Sequence, residues 1–378
     1  MEKSKVYFTD FRARPGYNLL QKLEKLIKRA GIENIDFKNK YVAIKIHFGE
    51  PGNLAYLRPN YAKVVVDLVK ELGGKPFLTD CNTLYVGGRK NALDHLDAAY
   101  TNGFSPFSTG CHVIIADGLK GTDEAYVDIN KEYVKTAKIG RAIMDADIVI
   151  SLNHFKGHEG TGFGGAIKNI GMGCGSRAGK MEMHNSGKPI VFKDKCKKCK
   201  QCIKICAHGA ISYNEEGIAQ IDHTKCVGCG RCIGICNFDA ITAPNDEAAD
   251  ILNMKMAEYA YAVVKDRPQF HISLICDVSP NCDCHGENDA PIVPNIGMLA
   301  SFDMVALDKA CADLVNKQTA FENSALGENM KKLDKKYIDR FHGDKFHINH
   351  PDTNWESQIT HSEKIGLGNS EYELIEIK

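Results

Sequence analysis

Two cysteine runs carry the clearest chemistry in the chain. Residues 196–206 read CKKCKQCIKIC and residues 226–236 read CVGCGRCIGIC. Each is C-x2-C-x2-C-x3-C, and the two begin thirty residues apart. In this spacing three close thiolates hold one 4Fe–4S cluster and the fourth crosses to the other cluster. It assigns Cys196, Cys199, Cys202 and Cys236 to one cluster, and Cys226, Cys229, Cys232 and Cys206 to the second. The following segments, HGAIS at 208–212 and FDAIT at 238–242, extend an internal repeat. Ala207 and Asn237 stand where proline usually follows the fourth cysteine, which loosens a turn preference and removes no ligand. Zinc ribbons also use C-x2-C knuckles, but two complete four-cysteine runs with the x3 interval argue against them. Two adjacent clusters accept and pass single electrons.

A third group lies in CDVSPNCDCHG, residues 276–286. Cys276, Cys282 and Cys284 follow a predicted strand, and Cys174 ends a glycine-rich stretch expected near the same sheet edge. Three readings stand. A third 4Fe–4S cluster on three thiolates would leave one iron open to substrate. A single metal ion such as zinc would suit the soft ligands, with His285 or Cys174 as fourth. Plain reduced thiols or a redox pair need no metal. Cys81, at a strand end, is a weaker candidate, and Cys111 and Cys311 read as core thiols.

Strands alternating with helices position these groups. Residues 17–30, 60–74, 89–101 and 138–146 have helical spacing, and 41–48, 75–80, 112–118, 147–154 and 268–278 read as strands. Such alternation implies a parallel sheet with crossover helices. Polar residues gather after each strand: His47 and Glu50, then Asp80, Cys81 and Asn82, then Asp117, then Asn153, His154, Lys156 and His158. Open α/β sheets bind ligands outside the carboxyl ends of their strands. Asp80 and Asp117 individually read as caps. In HFKGHEGTGFGGAIKNIGMGCGSRAGK, residues 154–180, the glycines Gly160, Gly162, Gly164 and Gly165 permit close backbone approach to a ligand. The helix after them would offer free N–H groups to a small anion, with Lys156 and Lys168 adding charge. His154 and His158 are candidate proton carriers or metal ligands. Neither a Walker loop nor a dinucleotide fingerprint fits the spacing.

The predicted fold is therefore α/β: a mostly parallel, Rossmann-like sheet with helices on both faces, plus an inserted α+β two-cluster ferredoxin domain. The boundaries read 1–190 for the first part of the body, 191–245 for the insert, 246–330 for the second part, and 331–378 for a polar tail holding Trp355 and a closing strand. The 378 residues carry 48 basic against 48 acidic side chains, which gives no sign of a nucleic-acid or anionic-membrane partner. No apolar run is long enough to span a bilayer, and MEKSKVYFTDF lacks the apolar stretch of a signal peptide. Fifteen cysteines then belong to a reducing, cytoplasmic setting rather than to disulfides.

The stretches HFGEPGN, DCNTLY, HFKGHEGTGFGGAIKNIGMGC, CDC and DAPIVPNIGMLASFD together resemble the domain-of-unknown-function family (DUF 362) whose members carry a ferredoxin insert. The resemblance covers nearly the whole chain, down to KIGLGNSEYELIEI, and implies an iron–sulfur protein with the insert set in an α/β body. An aromatic residue usually follows CDC in that family, and His285 replaces it here. The expected function is an oxidoreductase. Its clusters would relay electrons from a partner protein to a strand-end site built from His47, Glu50, His154, Lys156, His158 and Lys168, where a small anionic substrate is reduced. A non-enzymatic electron carrier or adaptor, and a metal- or cluster-handling protein, are the alternatives.

Overall fold

The structure, a computed structural model, describes every residue except 1–2, 86, 186–187, 227, 229 and 243–248. Eight strands form the central sheet: β1 (Ser4–Asp10), β2 (Tyr41–Lys45), β3 (Lys75–Asp80), β4 (Val113–Ile115), β5 (Ile148–His154), β6 (Gln269–Ile275), β7 (Gly297–Ser301) and β8 (Tyr372–Glu376). Their order is β8-β1-β7-β6-β5-β2-β3-β4. Seven run one way, and β7 alone runs against its neighbours β6 and β1. The sheet is thus mostly parallel, as its sequence pattern predicts.

β5 is buried along its whole length, as a parallel strand covered on both faces must be. Its alternate side chains divide between two cores, Val149 in one and Ile148, Ile150 and Leu152 in the other. Helices α1 (Leu19–Arg29) and α2 (Pro59–Glu71) close one face with Leu23, Leu26, Val65 and Val66. α1 starts at a capping box in which Asn18 accepts the Gln21 N–H and the Gln21 side chain accepts the Asn18 N–H. α3 (Ala92–Thr101) adds Ala99 to the same core. The other face is covered by α4 (Ala166–Cys174), α5 (Arg177–Asn185), α6 (Ala249–Val264), α7 (Met304–Asn316) and α8 (Glu356–Lys364), through Ile167, Ile170, Met256, Leu307 and Ile359. Each fully buried leucine or isoleucine stabilises the fold by about 1.5–3 kcal/mol relative to exposure.

Three local expectations change. The helix expected over 138–146 is instead the strand Thr136–Gly140, paired antiparallel with Glu124–Asp128 and followed by one helical turn at Arg141–Met144. Ala137 and Ile139 are buried while Thr136 and Lys138 are half-buried, so a period of two outweighs the helical reading. β1 and β7 occupy stretches whose pattern predicts no strand. The helix expected from 89 begins at Ala92, capped by Asn91, and leaves Arg89 outside it.

Two topological features locate the site. The chain lays β2, β3 and β4 outward, then returns to place β5 on the other side of β2. The crevice beyond the carboxyl ends of β2 and β5 is therefore a switch point, where such sheets bind ligands. Because β7 is antiparallel to β6, the connection 276–296 leaves and returns at that same edge.

Residues 190–242 hold a smaller unit of one hairpin, Ile211–Tyr213 with Ala219–Ile221, a second antiparallel pair joining Ile190–Val191 to Ile241–Thr242, and two short helices, Gln201–Ile205 and Arg231–Ile235. Its repeat extends to the backbone. Lys198 and Gly228 have φ of 58° and 72°, Lys200 and Gly230 of 63° and 66°, and Gly209 and Asp239 of 57° and 51°. No helix among the described residues is long and apolar enough to cross a membrane.

Candidate functional site

A cavity of about 530 Å³ lies beyond the carboxyl ends of β2, β3 and β5. His47, His154, Lys156, His158 and Lys168 all line it, and Cys282 and Cys284 enter from the 276–296 connection. The sixth expected residue, Glu50, stands behind the wall and binds Arg89, with Arg89 Nε 2.7 Å from Glu50 Oε2. Arg89 is 1% exposed. It also reaches His47 Nε2 at 2.9 Å and lies 3.7 Å from Asp80 Oδ2. Burial, then the Arg89 charge, push His47 well below the ordinary histidine range, so the ring is held neutral. Asp80 is no mere cap. Its Oδ1 lies 3.0 Å from Lys45 Nζ, and although burial alone would raise its pKa, the Lys45, His95 and Arg89 charges outweigh burial and hold it low. Asp117 does act locally, accepting the Asn82 N–H at 2.9 Å, and burial pushes it up to about 6.

His154 anchors the overlying connection. Its Nδ1 faces Asp283 Oδ2 at 2.8 Å and its Nε2 faces the Cys276 carbonyl at 2.7 Å. Both ring nitrogens are engaged, so His154 offers no free ligand atom beside His158. Lys156 lies 3.5 Å from the same Asp283 oxygen. Burial would raise Asp283, but His154 and Lys156 hold it below the usual carboxylate range. Backbone N–H groups of Gly160 and Thr161 donate to His158 Nδ1 at 3.0 and 3.1 Å, which leaves His158 Nε2 as the donor toward the cavity.

Two site expectations are corrected. The four sulfurs of Cys174, Cys276, Cys282 and Cys284 do not converge. Cys276 is buried in the core beneath α2, near Tyr61, and Cys174 in the opposite core. Burial pushes each of these two thiols up to about 12, as for inert core cysteines. Cys276 directly follows β6 and enters the core under α2, while Cys174 closes α4 and packs into the core on the other face. Second, the N-terminus of α4 is not open to an anion. Asp308 from α7 accepts the Ala166 and Ile167 N–H groups at 2.7 and 2.9 Å. Gly165 is small for that reason, since an added Cβ would lie 2.2 Å from Asp308 Oδ1. Gly162, at φ +80°, makes room for Trp355, and it pairs with His158 in the hairpin formed by Lys156–His158 and Gly162–Gly164. Gly164 packs against Lys168, leaving Gly160 and Gly165 on the cavity wall.

Cys282, Cys284 and His285 form the chemical centre of the connection. Cys282 Sγ accepts from Lys168 Nζ and from the Cys284 N–H, each at 3.4 Å. The Cys284 thiol, then Lys168 and His158, outweigh burial and hold Cys282 well below the usual thiol range, while Cys284 is raised. Lys168 stays charged because Cys282, Cys284 and Glu159 outweigh its burial. His285 Nε2 lies 3.0 Å from Glu159 Oε1, a contact that raises the histidine to about 9. The ligand atoms of Glu159, Cys284 and His285 all lie within 4.8 Å of one another. Tetrahedral donors on one zinc-sized ion stand roughly 3.3–3.8 Å apart, so modest side-chain rotation would close this mixed O, S, N set.

The eight-cysteine unit surrounds two smaller cavities. Cys196, Cys199, Cys202 and Cys236 line one, and Cys206, Cys226 and Cys232 line the other; Cys229 lies outside the described residues. Each run therefore lends its fourth cysteine to the other run's cavity. The Ala210 and Ala240 N–H groups donate to Cys206 Sγ and Cys236 Sγ, both at 3.3 Å. Leu84 and Tyr85, on the strand-end cavity wall, pack with Met181 of α5 against Cys202, Cys232 and Cys236.

Sequence reasoning passed over Lys45, Arg89 and Glu159. Lys45 was visible as a charge inside a buried strand, and Glu159 sits between His158 and Gly160. Arg89 gave no signal, since only the fold brings it to Glu50 and Asp80.

Residues 42–313 match the family described as domain of unknown function (DUF362). The chain is 28% identical over 127 residues to the thylakoid-associated protein sll1697 of Synechocystis, covering 33% of this chain and 35%, about a third, of that protein. Among solved structures it is similar to the lactate racemase apoprotein of Thermoanaerobacterium thermosaccharolyticum, at 12% identity and a TM-score of 0.43, covering 98% of this chain and 82% of that one. It is similar also to a protein of Thermotoga maritima, at 10% identity and a TM-score of 0.40, covering 95% and 86%. With more than half of its residues inside the matched region, the chain belongs to the DUF362 family.

Proposed function

We propose that this protein is an iron–sulfur oxidoreductase in which residues 191–245 relay single electrons to the strand-end cavity. The observation that carries this reading is the exchange of fourth cysteines between the two repeats. That exchange is the ligand pattern of a two-cluster ferredoxin, and a pair of independent zinc knuckles has no use for it. Among the described residues, three ligand atoms within 4.8 Å of one another occur at Glu159, Cys284 and His285 and not among Cys196, Cys199, Cys202 and Cys236. Bound clusters would supply one-electron transfer. The chain's own residues do the rest. The Ala210 and Ala240 N–H groups bond to ligand sulfur, and Leu84, Tyr85 and Met181 bring the module into packing contact with the cavity wall. Inside the cavity, Lys45, Lys156, Lys168 and Arg89 favour an anionic substrate, and His158 can present a proton from Nε2. A cytoplasmic setting suits so many reduced thiols.

A second centre is supported by the Glu159–Cys284–His285 set, which fits one borderline or soft divalent ion with a position left for substrate. Iron and acid-labile sulfide, measured on protein purified without oxygen, test both parts. About eight irons and eight sulfides per chain are expected, with one additional metal that disappears in the Cys284→Ser variant. Zinc in place of iron would overturn the electron-transfer reading.

A further inference from the structure

The two halves of the cysteine unit differ in charge, although their backbones agree. The first half carries Lys193, Lys195, Lys197, Lys198, Lys200 and Lys204, all exposed. The equivalent positions thirty residues on are His223, Lys225, Val227, Gly228, Gly230 and Gly234. The second half is thus an internal control: the cysteine geometry does not need lysines. Two of them are conformationally costly. Lys198 and Lys200 hold φ of 58° and 63°, where the repeat uses glycine. A non-glycine residue in that left-handed region is uncommon and conformationally unfavourable. Charge retained in spite of that cost needs a use.

The placement supplies one. Cys199 is the exposed thiol among the described cysteines of the set, and it lines the cavity that the first half builds. Phe238 lines the same cavity and is 44% exposed, and Phe192, equally exposed, lies beneath the Lys195 ammonium. An exposed apolar centre inside a charged rim is the anatomy of a transient protein interface. The other cavity borders α5 on one side, with exposed His208 and Arg231 on its lining. Its Gly230 packs against Arg177 and Met181 of α5, and an added Cβ there would lie 2.8 Å from Arg177 Cγ. The acids nearest in sequence, Asp194, Glu215 and Glu216, are exposed, and none of them is ion-paired with these six lysines among the described residues. The chain is neutral overall, so the basic face is a local asymmetry of the kind that steers encounter.

We infer that the lysine-rimmed face around Cys199 is the docking surface for an acidic, one-electron carrier protein, and that electrons cross from this cavity to the one bordering α5 and on toward the strand ends. This rests on the iron–sulfur reading above. In each encounter one electron leaves the partner's reduced centre and is received at the Cys199 cavity, with no bond made or broken and no proton moved.

The test uses the anaerobically purified full chain and, as probe, a reduced bacterial ferredoxin of strongly negative net charge. Stopped-flow absorbance follows its oxidation at rising salt, for the parent and for a Lys197→Glu, Lys198→Glu, Lys200→Glu variant. The expected result is a rate that falls about tenfold or more with salt and again with charge reversal. Reduction by dithionite and iron content should stay unchanged in the variant. A rate indifferent to both salt and charge reversal, at about eight irons per chain, overturns the docking surface alone. Absence of iron overturns it together with the electron-transfer reading. Salt-sensitive retention on double-stranded DNA or anionic vesicles, with no effect on ferredoxin oxidation, assigns the face to a different partner and also overturns it.

Discussion

The cysteine-lined cavities and the strand-end cavity are held together in opposite ways. The first are built from neighbours in sequence, and their walls are thiols and apolar side chains such as Ile211, Phe238 and Ile241. The second draws on β2, β3, β5, α4 and the 276–296 connection, and it buries full charges: Lys45 and Arg89 are each 1% exposed. Its ions survive burial because each has an opposite charge within reach, Lys45 with Asp80, Arg89 with Glu50, Lys156 with Asp283. A buried pair adds little net stability, yet breaking one is severe, because the remaining charge is left without water or partner. The difference teaches that the strand-end site is fragile to single substitutions in a way the cysteine module's surface is not.

The largest expected effect comes from removing the shared cation. Arg89→Met strands Glu50 and leaves Asp80 to Lys45, and should destabilise the fold by about 3–5 kcal/mol in urea unfolding. Adding Glu50→Gln should recover part of that loss; no recovery would mean that Arg89 acts by packing rather than charge. The next effect concerns pH. Burial raises Asp308 to about 7 in the folded protein, above about 3.9 for the unfolded chain. Between these values the folded state holds the extra proton, so stability at this group is full below pH about 4 and is lost as pH rises through about 7. Asp308→Asn should flatten that slope in parallel unfolding titrations, and an unchanged slope would place the titrating group elsewhere.

Glu159→Gln should weaken binding of cobalt(II), followed by its thiolate charge-transfer absorbance, by about tenfold or more. Equal affinity in parent and variant would remove Glu159 from the ligand set. The smallest effect isolates burial itself. Lys63 and Asp67 stand 2.8 Å apart on the exposed face of α2, almost the same separation as Arg89 and Glu50 at 2.7 Å. Lys63→Met should change stability by no more than about 0.5 kcal/mol. A loss comparable to that of Arg89→Met would break the distinction drawn between the two kinds of site.

Much of this was legible beforehand, for identifiable reasons. The parallel strands β2, β3, β5 and β6 declare themselves because a strand covered on both faces must be apolar throughout. The pairing of Cys236 with the first cavity and Cys206 with the second follows from the spacing of the two runs. His47, His154, Lys156 and His158 could be placed at one edge because they follow parallel strands. Other facts depend on contacts between distant residues. Local pattern does not say that β7 reverses and returns the connection over the site. It does not say that Asp308, from the far side of the chain, closes the helix end that looked ready for an anion. Nor does it separate Cys276 from Cys282 and Cys284, since which core a strand-end thiol enters is set by packing against α2 and not by cysteine spacing. The sequence by itself determined the ligand spacing, the strand ends and the lysine asymmetry of the repeat, because these are local. The tertiary structure decided which charges are paired and which thiols stay chemically open, because burial and Coulomb interaction act between groups that only folding brings within a few ångströms.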